Sequence, residues 1–314
     1  MSRQDFQAHV VIIGLLVFYG VAYITLSVMG LYAFIFKSVL IPAFAIYALT
    51  SRDIAYFVRS WFPFLASTVL FDAVRGAIYT AVQQGHRPVY AQYVITLEQW
   101  LIGTPAVCIP LQDHLRSQAL DRLMVWTHGG HFVYFLLFGL IVWHTRREWF
   151  SRYKWSMIGV FYGGAVCYFL IPTAPPWMAS QHLGLLPPLA HIARGVYNLN
   201  MPEVYGAFDT NPVAAMPSLH IAFPTVCMLL AWAAFPRSVA LATTIYAALV
   251  GFAIMYLGEH YFVDVLAGLL FAGAVWAVVV KLDPPREPAP LWTAMASSGL
   301  LIIAAFALAA FSTR

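Results

Sequence analysis

Residues 218–281 read SLHIAFPTVCMLLAWAAFPRSVALATTIYAALVGFAIMYLGEHYFVDVLAGLLFAGAVWAVVVK. Three apolar runs, 218–235, 238–258 and 261–281, follow one another with only short breaks around Pro236 and Gly258. A membrane-spanning helix needs about 20 mostly apolar residues, and these runs meet or approach that length. Working outward, similar runs lie at 154–172, 122–145 and 56–82, then at 31–50, 8–30 and 291–311. The first run is long enough to span and lacks a small-residue cleavage site, so it reads as a helix and not as a signal peptide. The pattern predicts an all-α, polytopic transmembrane helical bundle. Its six-helix core occupies 56–285, with extra helices in 1–55 and 286–314.

Composition agrees. Hydrophobic residues make up 61% of the 314 positions and charged residues 10%, whereas a soluble domain carries roughly 25% charged residues. Lipid must therefore solvate most of the surface. The net charge of +4 is small and its basic residues are scattered, which argues against a nucleic-acid partner. Cys108, Cys167 and Cys227 share no metal-ligand spacing and read as small hydrophobes within helices.

Two long polar-aromatic segments, roughly 83–121 and 173–217, break the helical pattern, and the prolines of the second rule out a continuous helix. With a cytoplasmic N-terminus, Arg3, Arg52, Arg59, Arg146, Arg147, Arg152, Lys154, Arg237, Lys281 and Arg286 fall on the cytoplasmic side. That bias fits the positive-inside rule and places both long loops on the extracytoplasmic or lumenal face.

The chemistry-bearing residues lie at that face. Pro217 reads as the first residue of a helix, with His220 in the first turn, where free amides can face an anion. His260 and Asp264, four apart, read as sharing one helix face at the start of the 261–281 run. A single span separates the two motif-bearing helices, so two histidines and a carboxylate can converge. A carboxylate inside a membrane helix costs about 2.5–3.5 kcal/mol by insertion scales, and a histidine partner gives a reason to keep Asp264 there. Such a set suits phosphoryl transfer. His260 attacks phosphorus, Asp264 fixes its tautomer, and His220 serves as acid and then base. Ser218 and its neighbouring amides would steady the phosphoryl oxygens.

At these residues the chain resembles the type 2 phosphatidic acid phosphatase superfamily, whose second and third signature motifs look like Pro217-Ser218-Leu219-His220 and His260 through Asp264. Pro172-Thr-Ala-Pro-Pro-Trp177, Asn211 through His220, and Tyr256 through Asp264 resemble its inositol phosphorylceramide synthase branch (the inositolphosphotransferases). The resemblance spans roughly residues 65–281. It implies a metal-independent membrane enzyme without cofactor, with His260 as nucleophile, Asp264 as its partner and His220 as acid/base. Its partners would be a phospholipid or lipid phosphate donor and an acceptor that is either a lipid hydroxyl or water, hence a role in sphingolipid or phospholipid metabolism.

The chain departs from the family at two cations. Ile254 stands where many members carry an arginine, and Thr80 stands where the first motif has a lysine. Arg75 and Lys37 are the candidate replacements, although Arg75 can pair with Asp72 three residues away and Lys37 can snorkel. His131, with His128, could line the substrate cavity. A metal there lacks a third ligand at sensible sequence spacing, so no metal site is expected. Trp177 reads as a roof over the site or, like Trp100 and Trp126, as part of an interfacial belt. A transporter would place such residues at mid-membrane with repeat symmetry, which is not seen. A non-catalytic scaffold is disfavoured by the complete triad.

Overall fold

A computed structural model describes residues 53–196 and 210–284. Lys37 and the helices expected in 8–30, 31–50 and 291–311 lie outside the described residues. The six runs expected for the core are all helical: α1 Ile54–Gln83, α4 Gln118–Thr145, α5 Phe150–Leu170, α8 Leu219–Ala234, α9 Arg237–Tyr256 and α10 Phe262–Leu282. Four of them (α1, α4, α9 and α10) are long and apolar enough to cross a membrane, and α8 is a shorter apolar helix. The described residues form an all-α bundle, and the protein is integral to the membrane. Leu241, Ile245, Leu270, Val278 and Leu282 stay exposed on its outer surface, where lipid is the matching solvent.

Helix α8 occupies the centre, packed against α4, α5, α9 and α10. Around it lies an aromatic core that includes Phe57, Trp61, Phe64, Phe135, Phe161 and Phe223. Close approach of α10 to α8 depends on Gly268, because a Cβ there would lie 2.3 Å from the Ser218 carbonyl oxygen. Small residues at helix crossings serve the same purpose generally in lipid, where packing rather than water exclusion drives association.

The long segments are not featureless. They fold into α2 Gln92–Ile102, α3 Cys108–Leu115, α6 Pro176–Gln181 and α7 Ile192–Val196. Isolated parallel bridges join Tyr90 to Thr173 and Thr173 to Ala214, carried by Tyr90 N–H to Pro172 O at 2.8 Å and Thr173 N–H to Val213 O at 2.7 Å. Both long segments and the segment leading into α8 are thereby fastened together. Helix α2 buries Val94, Ile95 and Glu98 and leaves Leu97, Trp100, Leu101 and Ile102 exposed, an amphipathic arrangement suited to the membrane interface. Trp100 and Trp126 are 80% and 73% exposed, as an interfacial belt requires.

At the opposite end of the bundle the links are short and basic. The Arg146 guanidinium donates to the Ala234 carbonyl at 2.7 Å, Arg147 lies over the Trp143 ring, and Arg152 pairs with Asp283.

Candidate functional site

The two motifs meet where α8 and α10 begin. Ser218 is the N-cap of α8 in an extended conformation, and its amide donates to the Asp264 carbonyl at 3.1 Å. Pro217 therefore precedes the N-cap, correcting the expectation that it opens the helix. The extended backbone of Ser218 makes Leu219 the first helical residue of α8. The Pro217 carbonyl accepts from the Tyr168 hydroxyl at 2.9 Å, fixing the approach, and His220 follows in the first turn as expected.

His260 reaches the site differently from the expected helix face. Helix α9 ends with Gly258 at φ +77°, a left-handed conformation that glycine adopts without penalty. The amides of Gly258 and Glu259 donate to the Met255 and Ile254 carbonyls, each at 3.0 Å, completing a Schellman turn. The His260 amide also bonds to Ile254 O, at 3.1 Å. Tyr261 is the N-cap of α10, so His260 sits outside the helix. Its contact with Asp264 arises because a carboxylate at the third helical position reaches back across the helix start. Asp264 Oδ2 accepts from the Tyr261 amide at 3.0 Å and lies 3.3 Å from His260 Nδ1. His260 Nε2 is in turn 2.8 Å from His220 Nδ1. All three side chains of the expected triad are thus in one hydrogen-bonded row, with Asp264 fully buried and His260 nearly so.

The row fixes a consistent set of protons. Ionised Asp264 accepts only, so His260 Nδ1 carries the hydrogen and His260 Nε2 holds a lone pair. The bond between the two rings then has His220 Nδ1–H as donor, which leaves the lone pair on His220 Nε2.

Of the other expected site residues, Ser218 is buried beside this row. Arg75 has its guanidinium 3.9 Å from Asp72. His131 is buried, its ring centroid 4.7 Å from that of His220. Trp177 packs behind the His260 turn. Its ring stacks on His191 at 4.4 Å and 7°, and its amide donates to Gly258 O at 3.0 Å.

The structure adds residues that the sequence did not single out. Glu98 accepts from the amides of Val107 at 2.9 Å, Phe262 at 3.0 Å and Val263 at 3.0 Å. Burial raises its carboxyl above the ordinary value, against the pull of the three amides. Its signal was a lone carboxylate on the same helical face as Val94 and Ile95. Gln112 bridges the Tyr256 and Ala190 carbonyls at 3.0 and 3.2 Å. Glu259 pairs with His191 Nε2 at 3.1 Å. Burial pushes the Glu259 carboxyl up, but the His191 bond and the nearby imidazoles outweigh it and hold the group below its ordinary value. Gln112 and His191 had no local signal, since their partners lie far along the chain.

Comparison with known proteins agrees with the motifs. The PAP2 superfamily matches residues 92–278, more than half of the chain. Over 153 residues, 45% of this chain and 49% of the relative, the sequence is 32% identical to the phosphoinositol dihydroceramide synthase of Bacteroides thetaiotaomicron. The chain thus spans about half the length of that relative. No solved structure matches it.

Proposed function

This chain belongs to the PAP2 superfamily, and we propose that it moves a phospho-headgroup between lipids through a phosphohistidine on His260. The coarser description, a membrane enzyme of the lipid phosphotransferase or phosphatase kind, follows from the family and the synthase relative. The observation that carries the finer reading is the row Asp264, His260, His220, with its 2.8 Å imidazole–imidazole bond.

In the first step, the His260 Nε2 lone pair attacks phosphorus. A P–N bond forms, the bond to the leaving lipid oxygen breaks, and that oxygen takes a proton from His220, which enters the step as the imidazolium once the phosphate is bound and leaves it neutral. Asp264 stabilises the positive charge that develops on His260. In the second step, the acceptor hydroxyl gives its proton to His220 as its oxygen attacks phosphorus and the P–N bond breaks. Ser218 and the first-turn amides of α8 face the phosphoryl oxygens. Arg75 stands in for the cations missing at Ile254 and Thr80, His131 lines the cavity, and Trp177 supports the turn that presents His260. No metal takes part. By analogy with the relative's name, the donor headgroup is inositol phosphate-like and the acceptor a lipid alcohol of the ceramide kind. The bias of basic residues toward the other end of the bundle supports a site on the extracytoplasmic or lumenal side.

The test is an assay in lipid nanodiscs with labelled phospholipids, phosphatidylinositol included, with and without ceramide or diacylglycerol. A new phospho-headgroup lipid that depends on the acceptor, and is absent with His260→Ala, is expected. Free phosphate or free phospho-headgroup, unchanged by acceptor, would replace transfer by hydrolysis.

A further inference from the structure

His128 takes no part in the reaction just described and His131 only lines its cavity, and the two do not stand alone. One turn apart on α4, they face His220 on α8. Both ring centroids lie 4.7 Å from that of His220, and one ring nitrogen from each residue lies within 4.8 Å of the other two. The third ligand that sequence spacing does not supply comes from a helix about ninety residues away.

The protonation pattern makes this a set of electron-pair donors. His131 Nδ1 is in close contact with the His128 carbonyl, which can only accept, so His131 Nδ1 carries the hydrogen and its Nε2 carries the lone pair. That Nε2, and the Nε2 of His128, are buried without a hydrogen-bond partner. His220 Nε2 holds a lone pair for the reason given above. A ring nitrogen tied to a backbone carbonyl while its opposite nitrogen is left open is the arrangement that orients histidines toward metals. Phe132 and Phe223 wall the cluster, flanking His131 at 3.9 and 6.4 Å between centroids. A dry wall of this kind strengthens any charge interaction inside it.

We propose that His128, His131 and His220 form a site for a divalent transition metal, zinc foremost, that holds the enzyme inactive when filled. Three imidazoles with one open position match zinc's preferred ligands and number. Tetrahedral zinc holds its nitrogens about 3.4 Å apart, so the rings close by about an ångström on binding, within the reach of side-chain rotation. The metal takes the lone pair of His220 and fixes that ring, and its charge disfavours protonation of the imidazole. His220 then no longer cycles between acid and base. This consequence rests on the role given to His220 above, whereas the metal site itself rests on the geometry alone.

Cobalt(II) separates the two. Full-length protein in nanodiscs is titrated with Co2+, whose visible absorption is intense only in tetrahedral nitrogen-rich sites, and zinc inhibition is measured in parallel. Expected are one intense-band equivalent per chain, displaced by zinc, and its loss or a roughly tenfold or greater weakening in His128→Asn. His128→Cys, which restores a ligand, should keep the band. Asp264→Asn, inactive but with all three ligands, should also keep it, so failure of catalysis is read apart from failure of binding. No intense band in the wild type, or a band unchanged by His128→Asn, would overturn the site. A band without zinc inhibition would overturn its effect on turnover.

Discussion

The Glu98 carboxylate on α2 caps the start of α10, taking the amides of Phe262 and Val263 at 3.0 Å each. Those amides belong to the first turn of the helix that holds Asp264, two and three residues after His260. A side chain from 164 residues earlier therefore sets the angle at which α10 leaves the site. With the Val107 amide also bound, Glu98→Ala leaves three donors to find new partners. We expect it to destabilise the protein by at least about 2 kcal/mol and to lower turnover. Glu98→Gln, which keeps an acceptor oxygen, should recover part of both. Thermal unfolding and turnover measured on the same nanodisc preparations check this.

His260→Ala should abolish turnover and any labelled phosphoenzyme. Asp264→Asn should preserve the fold but lower turnover on the order of 10³–10⁴-fold, as a wrong tautomer does in other triads. A base-stable, acid-labile label trapped from radiolabelled substrate is the readout. A label that persists on histidine in His260→Ala would assign the nucleophile elsewhere.

A steric test uses two glycines of one helix. A Cβ on Gly268 would meet the Ser218 carbonyl oxygen at 2.3 Å and Ile221 Cγ2 at 2.6 Å, while a Cβ on Gly273 meets nothing within 4 Å. Gly268→Ala should push α10 from α8, breaking the Ser218–Asp264 bond and most of the activity. Gly273→Ala should be neutral or stabilising by up to about 1 kcal/mol. Equal behaviour of the two variants would refute the close crossing.

Low pH should loosen the loop behind the site. Glu259 is held below its ordinary 4.5, so its contribution to stability is complete above that pH. It is lost as pH falls through the lower folded value. Unfolding temperatures of wild type and Glu259→Gln should therefore converge as the solution is acidified below about pH 4.5 and differ most near neutrality. Curves that stay parallel would contradict this.

Chelators should leave turnover intact, because every step is assigned to protein side chains. Loss of activity with chelator, restored by a divalent ion, would refute metal independence.

Much of this was legible in sequence because the determinants are local or periodic. Apolar runs of spanning length gave the six core helices, and the spacing of Pro217 to His220 and of His260 to Asp264 gave the triad. Helix starts were misread by one or two residues. The Ser218 amide is taken by Asp264 O, a partner that no local pattern reveals, and the His260 amide by Ile254 O in the turn after α9. Glu98, Gln112 and the Glu259–His191 pair escaped for the same reason, as did the meeting of His220 with His128 and His131. Each joins segments whose adjacency is a product of the folded bundle.

Helix α2 turns one face to the protein and the other outward. Glu98 on the inner face grips α10, while Leu97, Trp100 and Leu101 on the outer face are exposed, as a helix at the membrane interface would have them. One short helix thereby ties an outward apolar surface to the start of α10. Whatever rests on the outer face of α2 is therefore one side chain away from the first turn of the helix that holds Asp264.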